Sequence, residues 1–353
     1  MKFNESKSQI MVIAKTEKNI ELKLNNSQIP ITKVYTYLGD EFNNKNTYED
    51  MIKTRKNKAR QTTREILSTC RNAIFKEKEI EVGLKLMKTI LIPRLIHNSE
   101  TWTNITKTLI CELEKEQSYY LKRLLHLPDS TPTIGVLYEC GIIPIEELLW
   151  SKKLRYYQKL LKTNNKTIIE IIKTQTEMKL PRCWITEMKQ YLEQNNINNT
   201  EEEIKRMTVN TWKRIVNKNT AERLKQKLSK EKSTKTMFIT ECKEQKYLKM
   251  LDSKDSRLAI RIRLKMIDTT KYMKSKYEED KCRLCLKEKE DILHILMCEK
   301  NEIKYDKQQA TRIIYNLHSD ETIYIAESSN IIDSIMKRRK NQEQTNATTS
   351  LST

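Results

Sequence analysis

The sequence predicts a mainly α-helical chain with a small β hairpin or sheet at its N-terminal end. Four glycines and six prolines in 353 residues are too few for a turn-rich all-β fold. From about Thr47 onward, apolar residues recur at the three- to four-residue step of a helix with one buried face. Residues 9 to 38 hold the only convincing strands. QIMVIA (Gln9 to Ala14) is a short apolar run. IELKLN (Ile20 to Asn25) alternates, with Ile20, Leu22 and Leu24 on one face, and residues 15–19 supply a turn that pairs the two as a hairpin. Val34 to Leu38 forms a third strand, ending at Gly39.

The helical elements follow in order. Met51 to Cys70 carries many lysines and arginines and few apolar residues, so it reads as a solvated or backbone-facing helix. Val82 to His97 places Leu84, Met87, Leu91 and Leu95 on a stripe, with Pro93 as a kink or an end. Thr106 to Leu125 repeats the pattern with Leu109, Leu113, Tyr120 and Leu124, and Pro128 to Pro132 break it. Pro144 then opens a helix through Leu161, with Ile145, Leu148, Leu149, Tyr156 and Leu160 facing inward. Residues 162–255 read as a polar connector with helical patches at Trp184 to Leu192 and Glu201 to Val216. Ser256 to Tyr277 is a basic helix, although its basic and apolar residues nearly alternate and strand is the alternative. Short helices are expected at Ile303 to Leu317 and Ser329 to Lys340, followed by a Thr/Ser/Asn/Gln-rich tail (residues 341–353) with the composition of disorder. No internal repeat occurs.

Sixty-seven basic residues against 47 acidic ones give a formal charge of +20, which favours a polyanionic partner, most simply RNA or DNA. No apolar run reaches the roughly 18 residues of a membrane span, and the apolar stretch near the N-terminus is too short for a signal peptide. Cys70, Cys111, Cys140, Cys183 and Cys242 are scattered singly, as in a reducing compartment. An intracellular protein, nuclear or cytoplasmic and not secreted, is expected. Lys337 to Lys340 has the form of a short nuclear-import run, a pattern that chance readily supplies in so basic a chain.

The remaining cysteines carry the sharpest signal. Cys282 and Cys285 are separated by two residues, His294 follows after eight more, and Cys298 after a further three. Soft thiolates and an imidazole at this spacing suit a tetrahedral zinc ion. Glu290 to Met297 reads as helix, so His294 and Cys298, four apart, share a face. Free thiols beside a core histidine, or a redox-active Cys-x-x-Cys, are the alternatives, and the third and fourth ligands favour structural zinc. The basic helices Lys53 to Arg64 and Arg257 to Lys265 are candidate phosphate contacts, through Arg55, Lys58, Arg60 and Arg64 and through Arg261, Arg263 and Lys265. Their alternative is a solvated face laced with salt bridges, but acidic partners at four-residue steps are scarce in the first. Trp102, Trp150, Trp184 and Trp212 could stack bases but are expected in the core. His97, His126 and His318 have no partners nearby in sequence and no catalytic role is assigned to them.

Three stretches, in order, carry a resemblance. They are FNESKSQIMVI (Phe3 to Ile13) with YTYLGDEF (Tyr35 to Phe42), the run from Leu121 to Leu161, and the Cys282 to Cys298 cluster ending in EDILHILMC. Together they resemble the C-terminal part of a reverse transcriptase of a non-LTR (LINE-type) retrotransposon, over residues 1–161 and 256–340. The resemblance implies the palm end at 1–46 and a helical thumb gripping template–primer at 47–161. It further implies a variable connector at 162–255 and a basic helix with a CCHC zinc knuckle at 256–340. It places Lys7 toward nucleotide phosphates, and Tyr37, Leu38 and Gly39 at the primer-grip turn. The family's Ala-Asp-Asp box lies upstream of the segment starting at Phe3, and no Asp-Asp pair occurs in the 353 residues. The parent enzyme's magnesium-dependent transfer needs such paired carboxylates. The expectation is therefore a truncated copy that binds template–primer and does not polymerise by itself. A helical scaffold, or a relic with no nucleic-acid role, is the competing reading.

Overall fold

The computed structural model describes residues 4, 8–13, 21–24, 27–72, 77–181, 183–197, 200–230, 243–272, 277 and 279–350. Lys7, four residues of the run Phe3 to Ile13 that carries the first resemblance (3 and 5–7), and the expected turn at 15–19 fall outside them. The fold is mainly α, as predicted: fifteen α-helices among the described residues, with two small antiparallel hairpins near the N-terminus. The chain divides into two compact units interleaved along the sequence. One comprises Met1–Thr63, Ile90–Glu116 and Leu148–Trp212, the other Arg64–Thr89, Gln117–Glu147 and Lys213–Thr353.

In the first unit, β1 (Lys23–Leu24) pairs with β2 (Ser27–Gln28), and β3 (Val34–Tyr37) with β4 (Asp40–Asn43). This corrects the expected pairing of 9–14 with 20–25: Ile10 instead makes a single parallel bridge to Ile31, and Lys23–Leu24 turns back on its own neighbours. Leu38 (φ 50°) and Gly39 (φ 87°) form the two-residue β3–β4 turn. Two positive φ values match the right-handed twist of a hairpin, but a leucine at the first costs about 1 kcal/mol where asparagine or glycine would be relaxed. Asn43 then joins the hairpin to helix α1 (Glu49–Cys70). Its amide oxygen accepts from the Thr47 N–H (3.0 Å) and its amide nitrogen donates to Asp50 (3.0 Å).

α1 is not the solvated helix its composition suggests. Met51, Ile52, Arg55, Ala59, Thr62, Thr63, Ile66, Leu67 and Cys70 are buried. Polar residues occupy part of that face because their partners come from elsewhere in the chain. α2 (Glu79–Leu86) leads into a π-helical turn (Met87–Leu91) and α3 (Ile92–Leu95). Pro93 lacks an N–H and its ring would clash with the carbonyl four residues back, at Thr89. The widened turn at that point absorbs the conflict and keeps Leu84, Met87, Leu91 and Leu95 all buried.

α4 (Lys107–Leu124), α5 (Thr133–Glu139), α6 (Ile145–Leu161), α7 (Lys166–Met178), α8 (Trp184–Gln194), α9 (Glu201–Arg206) and α10 (Val209–Lys230) follow. The expected stripe of α6 is rotated: Ile145 and Leu149 are buried, but Leu154 and Tyr157 take the core positions assigned to Tyr156 and Leu160. Within the first unit Trp102 and Trp212 are fully buried. Trp150 stacks on Tyr191 (centroids 4.0 Å apart), and the Trp184 indole N–H donates to the Glu100 carbonyl (2.9 Å). The four tryptophans are packing residues.

The second unit contains the C-terminal helices α11 (Tyr247–Met250), α12 (Ser253–Arg263), α13 (Ile292–Met297), α14 (Lys307–Asn316) and α15 (Thr322–Ser350). α12 starts where the Asp252 side chain accepts from the Asp255 N–H (2.8 Å). It ends well short of Tyr277. Lys265 takes a left-handed conformation (φ 58°), its N–H bonds to Ile262 O (2.9 Å), and the Met266 N–H bonds to Arg261 O (2.7 Å). That double bond closes a helix C-terminus regardless of the basic residues beyond it. Ile262, Ile292, Ile295, Leu296, Ala310, Ile313, Ile332 and Ile335 join α12 to α15 in one core. Each buried aliphatic side chain contributes about 1.5–3 kcal/mol. α15 runs on through residues 341–350, where composition suggests disorder, and Glu343 on that stretch pairs with Arg283 (3.3 Å).

Glu139 is fully buried and accepts from Arg263 Nε (2.9 Å) and from the Tyr247 hydroxyl (2.9 Å). Near it, burial and then the charges of Arg263 and Lys265 lower the His318 pKa from 6.5 to about 4. A base whose folded pKa is depressed is neutral in the native state while the unfolded chain still takes up a proton. Stability is therefore full above about pH 6.5, falls as the pH drops from there to about 4, and levels off below. The span is worth about 3 kcal/mol. Chemical denaturation of the parent and of His318→Phe across this range should show a shallower loss in the variant; parallel curves would contradict it.

Candidate metal centre

Cys282 to Cys298 fold as a tight knuckle closed by a short helix. The Cys282 N–H bonds to the Glu288 carbonyl (2.7 Å), the Leu286 N–H to the Cys282 carbonyl (2.8 Å), and Lys281 bridges to Lys289. This loop sends the sulfurs of Cys282 and Cys285 to one side. Leu286 holds the left-handed position (φ 59°), with its side chain 69% exposed, where glycine would fit without strain. The Asp291 side chain caps α13 by accepting from the His294 N–H (2.9 Å). The single helical turn between then aligns His294 with Cys298, whose N–H bonds to the His294 carbonyl (2.8 Å).

The four ligand atoms all lie within 4.8 Å of one another, and the group can hold a metal ion. Cys282 Sγ is 3.8 Å from Cys298 Sγ, and Cys285 Sγ is 3.4 Å from His294 Nε2. Bonds of about 2.3 Å to sulfur and about 2.0–2.1 Å to nitrogen at tetrahedral angles put ligand atoms about 3.5–3.8 Å apart, so the spacing fits. Cys282 and Cys298 are almost fully buried.

The surroundings orient the imidazole and act differently on the three thiols. His294 Nδ1 lies 3.0 Å from a Glu288 carboxylate oxygen, which fixes the ring so that Nε2 faces the sulfurs. Burial pushes the Cys282 thiol up, but the N–H groups of Cys285 and Leu284 and the Arg339 guanidinium outweigh it and the net shift is down. Cys285 also shifts down: burial raises it, and the N–H groups of Glu288 and Lys287 more than reverse this. Burial keeps Cys298 above its ordinary value.

Arg339 is the residue that ties the knuckle to α15. Its side chain is 1% exposed; Nη2 donates to Cys282 Sγ (3.1 Å) and Nη1 to Asn301 Oδ1 (2.7 Å), and Nη2 also stands 3.5 Å from Glu290. Glu290, fully buried, is also held by Arg283 through Nη2 (2.8 Å), Nε (3.1 Å) and the Arg283 N–H (3.1 Å). None of Glu288, Glu290 and Arg339 stands out in the sequence. Arg339 sits inside the run read as a nuclear-import signal, and Glu290 in the polar interval between ligands.

The other singled-out residues are not gathered at one place. Tyr37 and Leu38 project from the hairpin at 58% and 72% exposure, with His97 and Asn98 side chains each 3.3 Å from the Leu38 carbonyl. On α1, Lys58 and Arg64 are exposed. Arg55 is not available to phosphate. It is buried in an ion pair with Asp40, donates to the Arg94 carbonyl (3.1 Å) and lies 5.1 Å from the Trp102 ring centre. Arg60 pairs with Glu116, and Lys56 with Glu112. Arg263 is likewise spent on Glu139, Lys265 is half-buried over the Tyr272 ring (5.8 Å), and Arg261 is exposed.

Comparison with protein-family models, curated proteins and solved structures finds no match for this chain. Among the described residues no helix is long and apolar enough to cross a membrane.

Replacing Arg339 by Met keeps the bulk and removes the guanidinium from between Cys282 and Glu290. Loss of such an outer contact costs about 10- to 100-fold in metal affinity. Competition against a chromophoric chelator should show that loss, and an unchanged affinity would rule out the role given to Arg339.

Proposed function

We propose that this chain is a nucleic-acid-binding protein related to the C-terminal part of a non-LTR retrotransposon reverse transcriptase, and that Cys282, Cys285, His294 and Cys298 hold a structural zinc ion in it. The observation that carries the zinc assignment is the completeness of the cage: three soft sulfurs and one oriented imidazole at tetrahedral spacing, with Cys282, His294 and Cys298 buried and Cys285 partly so, and with each sulfur's pKa shaped by N–H groups or Arg339. Four protein ligands leave no position for a water nucleophile, which is the arrangement of a structural rather than a catalytic zinc. Bound zinc would offset two of the three thiolate charges and lock the knuckle to α13.

The formal charge of +20 supports a polyanionic partner, RNA or DNA. Exposed Lys53 and Lys58 on α1 and exposed Arg261 on α12 are suited to phosphate. The reading for these residues is binding of template–primer. The ordered resemblance of residues 1–161 and 256–340 to the retrotransposon enzymes supports the family.

The purified chain should carry about one zinc per molecule, and Cys285→Ser should lose it; equal metal content in the two proteins would reject the site. Affinity for a single-stranded RNA should fall steeply between about 50 and 200 mM salt, through release of counterions. An affinity indifferent to salt would contradict nucleic-acid binding through phosphate.

A further inference from the structure

Beside the knuckle, and sharing Arg283 with it, the second unit holds a cavity of about 450 Å³ between α12 and α15. That volume lies within the roughly 300–1,000 Å³ range of small-ligand sites. Leu258, Ile262, Ile267, Ile332 and Met336 make its apolar lining. One wall is flat: the Arg283 guanidinium lies 4.9 Å from the Tyr277 ring centre and donates to the Tyr277 hydroxyl (2.8 Å), which in turn donates to Asp268 (2.8 Å).

The polar groups around the cavity are unevenly satisfied. Lys337 is paired with Asp333 (2.6 Å) and Arg283 with Glu290. Arg261 and Lys340 also line the cavity, are exposed, and have no acidic partner among the described residues. Glu343 Oε2 meets Arg283 (3.3 Å), but Glu343 Oε1 is buried and has no hydrogen-bond partner among the described residues. A buried acceptor left unmet costs about 1–3 kcal/mol, so a ligand that brings an N–H to it recovers that energy.

We infer that this cavity receives one unpaired nucleobase of a bound single strand, with the ring between the apolar lining and the Arg283–Tyr277 wall, a base N–H on Glu343 Oε1, and the flanking phosphates on Arg261 and Lys340. A planar ring suits the flat wall, because every base offers a face for stacking. An anion on either side of that ring suits two exposed cations. Glu343 favours guanine, whose N1–H and amino group point the same way. It disfavours uracil, whose N3–H is flanked by two carbonyl oxygens that a carboxylate repels. This site rests on the nucleic-acid reading above and adds a base preference to it.

The test uses the full zinc-loaded chain and oligouridines of about 12 nucleotides, one all-uridine and one with a single central guanine. The guanine strand should bind about tenfold more tightly, as one hydrogen bond to a charged group predicts. Met336→Trp, which fills the cavity, and Glu343→Gln, which removes the charge, should each abolish that difference while zinc content and helix content stay unchanged. RNA binding that is salt-dependent but indifferent to the guanine, or a guanine preference that survives both variants, overturns the cavity assignment alone. Absence of RNA binding overturns the broader reading and the cavity with it.

Discussion

The buried carboxylate of Glu290, held between Arg283 and Arg339, is the interaction on which the C-terminal part of the second unit depends. Taking one carboxylate and two guanidinium groups out of water costs several kcal/mol per ion, and only dense hydrogen bonding returns it. Here that bonding is present: Arg283 makes a forked contact to Glu290, and Arg339 reaches Glu290, Asn301 and the Cys282 sulfur. The network has a geometric consequence. The knuckle contributes Cys282, Arg283 and Glu290, and α15 contributes Arg339 and Glu343, so the four candidate ligands cannot shift against α15 without exposing or unpairing a charge. Packing of Ile292, Ile295 and Leu296 against Ile332 and Ile335 acts in the same direction.

The same logic divides the chain's many cations into two classes. Arg55, Arg60, Arg263, Arg283 and Arg339 are committed to carboxylates. Lys53, Lys58, Arg64, Arg261 and Lys340 are exposed. A formal charge of +20 describes the sum, but a cation held in a buried ion pair, such as Arg55, Arg263 or Arg339, adds to it without being open to a phosphate. The most deeply buried of these pairs use arginine, as in Arg263 with Glu139 and Arg339 with Glu290, because its planar fork satisfies two acceptors at once where lysine offers a point charge.

Much of the fold was legible in the sequence. Helical periodicity alone placed Leu84, Met87, Leu91 and Leu95 in the core, and Pro144 marked the start of α6. The ligand set Cys282, Cys285, His294 and Cys298 was readable from spacing, since a turn and one helical turn are enough to bring the four together. Several misreadings share one physical reason: the partner lay far away in sequence. α1 looked solvated because Asp40, Glu112 and Glu116 do not lie at helical steps within it. Arg263 looked free because Glu139 is distant along the chain. Glu288, Glu290 and Arg339 could not be told from ordinary surface residues until the fold placed them around the ligands. The end of α12 was set by a left-handed lysine and two backbone bonds, a position where composition carries no signal.

The most direct test of this account is X-ray absorption at the zinc edge of the purified chain. A closed site predicts three sulfur neighbours at about 2.3 Å and one nitrogen at about 2.0–2.1 Å, with no oxygen. A spectrum with an oxygen ligand, or with fewer than three sulfurs, would contradict the structural centre from which the knuckle, its buried ion network and α15 are argued.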